Sequence, residues 1–404
     1  MIRSFWVWLH RWAGLAMAVF LILVGLTGSL LAFKTDLERL ICPKIYAMPR
    51  PGVPPLDLAT LAERAETLVP QGRVAGVFLT EPDQALVTFD PREDPATGKP
   101  YELDFGQLFV DPWSGEELGR RRFDDLSQGL INLMPFIYEL HYELALGAPG
   151  LWVLGIVALV WTIDCFIGFY LTLPVSSSAF WRRWKLAWLV KWKAGAYRLN
   201  FDLHRAGGLW VWPMLLVFAW SSVMLNLRPV YNWVTGAVFD YQLLPEENTA
   251  PSPPPNEIPR LDFRAALLTG ERLMAEQATK HDFSVERAVI LYRMNGVYSY
   301  FVKSSRDIRD KVGLTYVNFD ADTGALISLE LPTGQHSGNT LSAWLYALHM
   351  ADVFGLPYRI FVCALGLVIT MLSITGVYIW WKKRKARQFS KAHRGVAAAQ
   401  IVAK

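Results

Sequence analysis

Two histidines stand in matching surroundings at the start of two long apolar stretches, in WLHRWAGL at residues 8–15 and in DLHRAGGL at residues 202–209. The matched pairs stand at one constant spacing along the chain, and they are His10 with His204, Arg11 with Arg205, Gly14 with Gly208, and Leu15 with Leu209. Imidazole is the commonest metal ligand among side chains. A histidine that is repeated beside a membrane segment therefore indicates a ligand site.

A second repeated pattern places a histidine ahead of a glycine and a proline. His141 lies in YELHYELALGAPG, and His349 lies in YALHMADVFGLPY. In both copies a glycine follows the histidine by six positions, a proline by eight and a second glycine by 27, with no gap in the alignment. The two patterns together predict a tandem duplication in which each copy carries two membrane spans and enters the membrane in the same orientation.

The duplication groups the four histidines into two pairs. His10 and His204 are expected at equal depth near the cytoplasmic edge, and His141 and His349 near the outer edge. Two neutral imidazoles that face each other across a helical bundle are suitable axial ligands for a haem iron that transfers electrons, since they leave no open coordination position. Zinc suits the pairs less well, because two histidines without a nearby cysteine or carboxylate make an incomplete tetrahedral site.

Glycine and arginine beside the first pair favour a flat, acidic cofactor. Gly14 and Gly208 lie on the same helix face as the histidines four positions before them. Their missing side chains would let a macrocycle approach the backbone. Arg11 and Arg205 stand where they could pair with haem propionates or with lipid phosphates.

Simpler structural explanations exist for residues of these kinds. A single histidine at a membrane interface is more often a packing or headgroup contact than a ligand. Gly168 and Gly376 inside the apolar runs are consistent with close helix packing alone. Asp164 also lies inside an apolar run, where a charge is costly, so we expect it to be neutral or partnered, as a proton or propionate contact.

Composition defines the class of protein that must position these residues. The chain has 404 residues, of which 52% are hydrophobic, and a mean hydropathy of +0.22, which is too apolar for an ordinary soluble protein. The net charge of +4 is small and gives no support for nucleic-acid binding. The three cysteines are too few and too scattered for a disulfide framework. A membrane protein with sizeable extramembrane parts is therefore expected.

Four apolar runs are long enough to cross a bilayer, which takes about 20 residues. They are residues 13–33, 151–173, 209–227 and 360–381. No cleavage site follows the first run, so we expect it to remain as a span. Lys and Arg are concentrated in the middle connection and after the last run, which places both of these and the N terminus in the cytoplasm. The two long segments then lie in the periplasm of a bacterial inner membrane.

The predicted fold is a membrane α-helical protein with four transmembrane helices in a tandem, parallel repeat and two periplasmic α/β lobes. In chain order we predict span 1 (1–33), lobe 1 (34–135), an outer histidine helix and span 2 (136–173), a basic cytoplasmic loop (174–203), span 3 (204–227), lobe 2 (228–340), an outer histidine helix and span 4 (341–381), and a cytoplasmic tail (382–404). Within the loop, WRRWKLAWLVKWK at 181–193 is predicted to be an amphipathic helix on anionic lipid, where an electron donor could also dock.

Each lobe is predicted to contain one helix followed by three strands. The helix and strands are 56–68, 74–80, 85–89 and 107–110 in the first lobe, and 261–277, 288–292, 298–303 and 315–319 in the second. A proline-rich linker at 250–259 precedes the second helix. Asp followed by Gly four positions later, at 111–115 and 320–324, is ordinary hairpin chemistry.

These motifs also carry a family resemblance over nearly the whole chain. LHRWAGL, LHRAGGL, the two histidine-to-Gly-Pro patterns and the turns VDPWSG and FDADTG together resemble the PepSY-associated transmembrane helix family. Members that resemble this chain include the di-haem inner-membrane ferric-siderophore reductases, in which four spans carry two b-type haems and PepSY lobes face the periplasm. The resemblance implies bis-His axial roles for His10, His204, His141 and His349, each at a matching motif position.

The function that we predict is transmembrane electron transfer from a cytoplasmic donor, through an inner and an outer haem, to a ferric siderophore. Reduction suits iron release, because the hard oxygen ligands of a siderophore prefer Fe(III) to Fe(II). No nicotinamide or flavin fingerprint occurs, so the donor must be another molecule. Candidate substrate contacts, named from their position alone, are Tyr138, Tyr142, Tyr346 and Arg359.

Two other classes of protein stay open. A haem-free sensor, regulator or peptidase-modulating protein would use its lobes to bind a partner, and its histidines would be structural. A transporter for iron, haem or a peptide is less well supported, because the four predicted spans contain no broken helix and only one buried acid, which makes a poor pathway.

Overall fold

The structure of the protein is a computed structural model that describes residues 2–123, 125–243 and 258–402, with side chains as far as residue 388. It divides into two compact units. The helical unit comprises residues 1–32, 138–231 and 359–404, and the sheet unit comprises residues 33–137 and 232–358. Most of the proline-rich linker predicted at 250–259 lies outside the described residues.

Helices form at the predicted apolar runs and outer segments, with bounds that differ by several residues. The helices of the described residues are α1 (Ile2–Leu31), α2 (Lys34–Ile41), α3 (Leu58–Leu68), α4 (Leu133–Glu143), α5 (Ala148–Thr172), α6 (Phe180–Lys185), α7 (Ala196–Trp210), α8 (Trp212–Asn226), α9 (Arg228–Val238), α10 (Phe263–His281), α11 (Ser337–His349) and α12 (Gly355–Val402). Short 3₁₀ turns occupy Pro43–Ile45, Leu126–Asn132 and Leu186–Trp188.

Three helices of the described residues are long and apolar enough to cross a membrane unaided: α1, α5 and the Gly355–Gln388 part of α12. A fourth span results if α7 and α8 are counted as one bent span. Because α1 begins at Ile2, His10 lies about two turns inside the helix and not at its entrance. The apolar run alone underestimates the helix, since the aromatic and polar residues before it continue the same helical backbone.

The predicted third span is broken. α7 and α8 meet at an angle of 71°, and Val211 between them leaves the helical conformation with φ −110° and ψ 8°. Pro213 follows in the first turn of α8, where its ring and missing N–H prevent an unbroken helix from continuing through this point. The expectation of an unbroken span was wrong, and the argument against a transporter that depended on it no longer holds.

α1 and α12 approach each other closely at small residues. A Cβ added to Gly25 would lie 2.7 Å from the carbonyl oxygen of Gly366, so neither position has room for a larger side chain. Nearby, the hydroxyl of Ser29 donates to the carbonyl oxygen of Cys363 at 2.8 Å. Close backbone packing of this kind holds helices together in lipid, where burial of apolar surface gives no driving force.

The sheet unit contains one eight-stranded antiparallel sheet. Its strands are β1 (Gly72–Glu81), β2 (Gln84–Pro91), β3 (Gln107–Val110), β4 (Glu117–Arg121), β5 (Val285–Met294), β6 (Val297–Ser304), β7 (Thr315–Asp320) and β8 (Leu326–Glu330). They lie in the order β4-β3-β2-β1-β5-β6-β7-β8. All six predicted strands are confirmed, and β4 and β8 are additional. The sequence missed these two because both are short and polar on one face, as in ELGRR and LISLE.

The two predicted lobes are joined into this one sheet. β1 pairs antiparallel with β5, with Val77 opposite Leu291 and Phe78 opposite Ile290. The two predicted α/β lobes therefore share one continuous sheet. A four-stranded half alone would leave the edge of β1 or β5 unpaired, and an exposed edge favours pairing with another strand.

One core fills the sheet unit beneath α3 and α10. Val77, Leu108 and Val317 are fully buried strand residues, and Leu61 and Met274 reach the same cluster from the two helices. Burying one such side chain contributes about 1.5–3 kcal/mol relative to leaving it in water. The alternation of buried and half-buried residues along the strands explains why their period-2 pattern was readable in the sequence.

The two predicted hairpin turns have the same geometry. Asp111 Oδ1 accepts the backbone N–H groups of the residues two and three positions later at 2.7 Å and 3.1 Å, and Asp320 Oδ1 accepts the equivalent two at 3.0 Å and 2.7 Å. The glycines that end the two turns have φ of 68° and 69°. Each Asp thus bonds its own turn, and each glycine takes a conformation that L side chains disfavour, as the sequence predicted.

Candidate functional site

Two of the predicted ligands face each other inside the helical unit. The ring centroids of His10 and His204 are 6.2 Å apart, and the ring planes are inclined by 57°. Each histidine is the ninth residue of its helix, His10 in α1 and His204 in α7. The structure therefore brings together the pair that the sequence repeat predicted.

Hydrogen bonds fix the Nδ1 atom of both rings. His10 Nδ1 lies 2.9 Å and 3.0 Å from the two carboxylate oxygens of Asp164 in α5. His204 Nδ1 lies 3.0 Å from the carbonyl oxygen of Leu372 and 3.0 Å from the hydroxyl of Thr375, both in α12. Nδ1 is the donor to the carboxylate and to the carbonyl, since those oxygens only accept. The remaining nitrogen, Nε2, then has a lone pair for a metal in the neutral ring.

Nε2 of each ring is available to bind a metal. Among the described residues, none hydrogen-bonds to Nε2 of His10 or His204. A hydrogen bond at one ring nitrogen that orients the other nitrogen toward a metal is the usual outer-shell arrangement of metal-binding histidines. Both rings thus have the hydrogen-bond arrangement at Nδ1 that metal-binding histidines commonly have.

Gly168 and Gly376 make room for these two rings. Their presence in apolar helices was consistent with close helix packing alone. A Cβ at Gly168 would lie 3.5 Å from Cε1 of His10, and a Cβ at Gly376 would lie 3.2 Å from Cε1 of His204. Any longer side chain at either position would meet the ring. The glycine that follows the outer histidine by 27 residues in each copy thus faces the inner histidine.

A cavity of 460 Å³ adjoins the histidine pair, within the range of about 300–1,000 Å³ for small-molecule and cofactor sites. Six residues predicted for the inner site line it: His10, Arg11, Gly14, His204, Arg205 and Gly208. No described atom lies within 4 Å of a Cβ built on Gly14, and the nearest one to a Cβ on Gly208 is Leu372 Cδ2 at 3.9 Å. Open space beside both glycines is what a flat ligand needs.

Basic side chains contribute to the cavity wall, and the structure assigns partners to two of them. Arg205 donates to the carboxylate of Asp202 and to the carbonyl oxygen of Leu186, each at 2.9 Å. Arg3 donates to the carbonyl oxygen of Leu171 at 2.7 Å. Arg11 also lines the cavity. The contacts predicted for Arg11 and Arg205 with propionates or lipid phosphates stay predictions, and those of Arg205 would have to be made beside Asp202.

The spacing of the rings fits a metal held between them. An imidazole nitrogen binds a metal at about 2 Å and lies about 1 Å from the ring centre, so two rings on opposite sides of one ion have centroids about 6 Å apart. The described residues contain no group of three or more His, Cys, Asp or Glu side chains that could hold a metal ion. A haem iron takes only two protein ligands, because the macrocycle occupies the other four positions.

The outer histidines lie in different units. His141 near the end of α4 belongs to the helical unit, and its Nδ1 lies 2.9 Å from the hydroxyl of Thr27. A Cβ at Gly28 would lie 3.0 Å from His141 Cε1, which repeats the glycine-to-ring contact of the inner pair. His349 is the last residue of α11 in the sheet unit. The pairing of His141 with His349 stays a prediction.

The connections after the outer histidines explain the repeated Gly-Pro spacing. Gly147 and Gly355 have φ of 64° and 63°, immediately before α5 and at the first residue of α12. Pro149 lies in the first turn of α5, where its missing N–H costs nothing. In both copies the glycine therefore turns the chain from the outer histidine helix into the following span.

A cluster of polar contacts holds the segment that follows His349. Arg309 Nε donates to Asp352 Oδ2 at 2.7 Å, and both side chains are largely buried. The same guanidinium lies 5.1 Å from the ring centroid of Tyr346, one of the predicted substrate contacts. The backbone N–H of Gly355 donates to Asp310 Oδ2 at 2.7 Å. Sequence reasoning missed Arg309 and Asp352, because nothing in their spacing links them.

The other predicted substrate contacts belong to the helical unit. Tyr138 and Tyr142 pack on each other in α4 with ring centroids 4.8 Å apart. Arg359 Nε donates to the carbonyl oxygen of Ala32 at 3.0 Å. Arg359 thus satisfies a carbonyl just beyond the C-terminal end of α1, and the substrate roles of all four residues stay predictions.

The basic aromatic segment is not the single helix predicted at 181–193. It forms α6, then a 3₁₀ turn, and is not helical from Leu189 to residue 193. Trp210 Nε1 donates to the carbonyl oxygen of Trp188 at 3.1 Å, which ties the segment to α7. Sequence reasoning also missed Asp202, fully buried between Arg198 and Arg205, although their i,i+4 and i,i+3 spacing on one helix signals the contact.

The chain was compared with known protein families. The family model described as PepSY-associated TM region matches residues 7–383, which include all four histidines of the two pairs. A comparison with curated proteins gives no match.

Proposed function

The chain belongs to the PepSY-associated transmembrane family, and from that premise we propose that it is a haem-containing membrane oxidoreductase. It takes electrons from a cytoplasmic donor and delivers them across the membrane to a ferric siderophore, which releases Fe(II). Two b-type haems would supply the one-electron chemistry, and they would be held by His10 with His204 and by His141 with His349.

One observation carries the proposal: the rings of His10 and His204 stand 6.2 Å apart beside a cavity, with Nδ1 of each already occupied. A pair of structural histidines would need neither this spacing nor a hydrogen bond on the same nitrogen of both rings. The spacing is that of two imidazoles on opposite sides of one metal ion, about 6 Å between centroids.

The cofactor supplies reversible one-electron chemistry at an iron without an open position. The residues of the chain provide the rest of the site. Asp164 and the carbonyl of Leu372 hold the two imidazoles in the tautomer that offers Nε2, and Gly168 and Gly376 give the rings space.

The proposed orientation places both termini in the cytoplasm and the sheet unit in the periplasm of a bacterial inner membrane. The excess of Lys and Arg at 181–193 and 382–385 supports it. The tandem duplication is supported by the equal spacing of the repeated motifs and by the shared hydrogen-bond pattern of the turns at Asp111 and Asp320. The inner histidine pair then lies on the donor side.

A ferric siderophore is proposed as the electron acceptor because reduction weakens its hold on the metal. Siderophore oxygens are hard ligands that favour Fe(III) over Fe(II). Tyr138, Tyr142, Tyr346 and Arg359 are the residues proposed to contact it. The donor is a separate molecule, for which the basic aromatic segment around α6 offers a surface.

The first test is the visible absorption spectrum of the purified protein. We expect a low-spin b-type signal that sharpens when dithionite is added, with two haems for each chain. The reduced protein is then mixed with ferric chelates, and we expect it to be reoxidised. A folded protein without any haem signal would overturn the proposal in favour of a haem-free sensor or regulator, and a haem protein that chelates fail to reoxidise would overturn the substrate.

A transporter is the second candidate, and the break between α7 and α8 favours it. Discontinuous spans form the binding sites of many secondary transporters. Proteoliposomes that contain the protein but no electron donor separate the two functions. Transport predicts uptake of the ferric chelate into the vesicle, whereas electron transfer predicts none.

A further inference from the structure

We infer that Asp164 makes the two inner ligands unequal and lowers the reduction potential of the haem that they hold. This inference rests on the proposed function. Asp164 is a positioning residue that acts through His10, and it gives the inner haem a lower potential than two equally neutral histidines would give.

The carboxylate of Asp164 is committed to His10. Both oxygens lie within 3.0 Å of Nδ1, and only 9% of the side chain is exposed. Among the ion pairs of the described residues, Asp164 has no arginine or lysine partner. Among the described residues, the imidazole of His10 is therefore its one direct ion-pair partner.

The second copy of the chain provides an internal comparison. The spacing that relates His141 to His349 places Leu372 at the position equivalent to Asp164. The carbonyl oxygen of Leu372 accepts from His204 Nδ1 at 3.0 Å. The Leu372 carbonyl thus accepts from Nδ1 of His204 as the Asp164 carboxylate accepts from Nδ1 of His10. Both rings are oriented in the same way, but only His10 has a carboxylate beside it.

The charge has a defined effect on a metal bound between the rings. A carboxylate hydrogen bond raises the basicity of a ligating imidazole. A more basic ligand and a nearby negative charge both favour the ferric over the ferrous state, since the ferric state carries one more positive charge. Removing the carboxylate should therefore raise the potential.

In the proposed membrane orientation, this difference in reduction potential would favour electron transfer in one direction. If the inner haem has the lower potential, the electron moves spontaneously toward the second haem and the acceptor. The difference in reduction potential would then come from one residue, Asp164, which has no carboxylate counterpart in the second copy. An exact sequence repeat would give His10 and His204 the same hydrogen-bond partner and therefore no difference in charge.

The test compares Asp164→Asn with Thr375→Val in the full-length protein. Asn keeps a hydrogen-bond acceptor for Nδ1 and removes the charge, while Val removes a hydroxyl beside His204 and leaves the Leu372 carbonyl. Haem content and the two midpoint potentials are measured by spectroscopic titration. We expect both variants to keep two haems, and Asp164→Asn to favour the ferrous state of one haem at least tenfold, which is a rise of about 59 mV for one electron. Thr375→Val should change it by much less.

Two haems with unchanged potentials in Asp164→Asn would overturn the inference and leave the proposed function standing. A wild-type protein without haem would overturn the proposed function itself. Leu372→Asp is the second variant, for the case that Asp164→Asn loses its inner haem. It adds a carboxylate beside the cavity at the equivalent position, and we expect a lower potential there. A potential that stays the same or rises in Leu372→Asp would also overturn the inference.

Discussion

The imidazole of His204 packs against the backbone of Gly376, where a Cβ would lie 3.2 Å from Cε1 of the ring. The glycine belongs to α12 and the histidine to α7, so the contact joins two helices that are far apart in the sequence. The room that Gly376 leaves is occupied by a ring whose Nδ1 is fixed by the same helix α12. The position of this imidazole therefore depends on the absence of a side chain at residue 376.

Replacing Gly376 by Leu is expected to displace the His204 ring and remove about half of the haem, since one of two bis-His sites would lose a ligand. Haem per chain, measured by absorption, checks this. Gly106→Leu is the matched control, because Gly106 is exposed and has no described atom within 4 Å of a Cβ built there. Full haem content in Gly376→Leu would show that the ring does not hold the cofactor in this position.

Removing one histidine from each pair is expected to divide the haem content. His204→Ala and His349→Ala should each lose about half of the haem, and the double variant nearly all of it. His281→Ala, in the sheet unit at the end of α10, is the control and should lose none. Equal losses in His349→Ala and His281→Ala would contradict the assignment of His349 as a ligand.

The junction between the two halves of the sheet offers a test of stability. Arg293 in β5 is paired with Asp90 in β2, and the arginine side chain is 8% exposed. Asp90→Ala is expected to destabilise the sheet unit by about 1.5–3 kcal/mol, because a buried guanidinium loses a charged hydrogen-bond partner. Chemical unfolding followed by the sheet signal measures the change.

The control for this prediction is Glu117→Ala. Glu117 pairs with Arg120 at 2.9 Å on the surface, where both side chains are about one-third exposed. We expect a loss of about 0–1 kcal/mol, as is typical of surface pairs. A loss as large as that of Asp90→Ala would mean that burial of Arg293 is not the cause.

The turn at Asp320 should make stability depend on pH. The backbone N–H of Thr323 lowers the pKa of the Asp320 carboxyl from its usual value of 3.8. A carboxyl whose pKa is lower when folded adds stability that is fully present above the unfolded pKa and is lost as pH falls through the folded pKa. Asp320→Ala is expected to cost about 0.5–1.5 kcal/mol at neutral pH through its lost hydrogen bonds.

Thermal unfolding between pH 3 and 7 checks this prediction. Asp320→Asn is the matched variant, because an amide oxygen still accepts the N–H of Thr323 but does not ionise. The difference in Tm between wild type and Asp320→Asn should be constant above about pH 5 and shrink below the unfolded pKa near 4. A difference that grows toward low pH would contradict the sign of the shift.

Several parts of the fold could be predicted from sequence patterns because their cause is local. The period-2 burial of β1 and β6, the positive φ of Gly115 and Gly324, and the apolar length of α1 depend on residues that are neighbours in the chain. The proximity of His10 and His204 could also be predicted, since repeated sequence motifs are expected to take equivalent positions in a fold.

The tertiary structure decided the features that depend on distant residues. Pairing of β1 with β5 turned two predicted lobes into one sheet, because each half presents an edge that the other can satisfy. Tertiary contact also decided that Asp164 is the partner of His10, and that the carbonyl of Leu372 takes the same role toward His204. A backbone carbonyl has no side-chain identity in a sequence, so only the folded chain could reveal that both inner histidines are oriented through the same nitrogen.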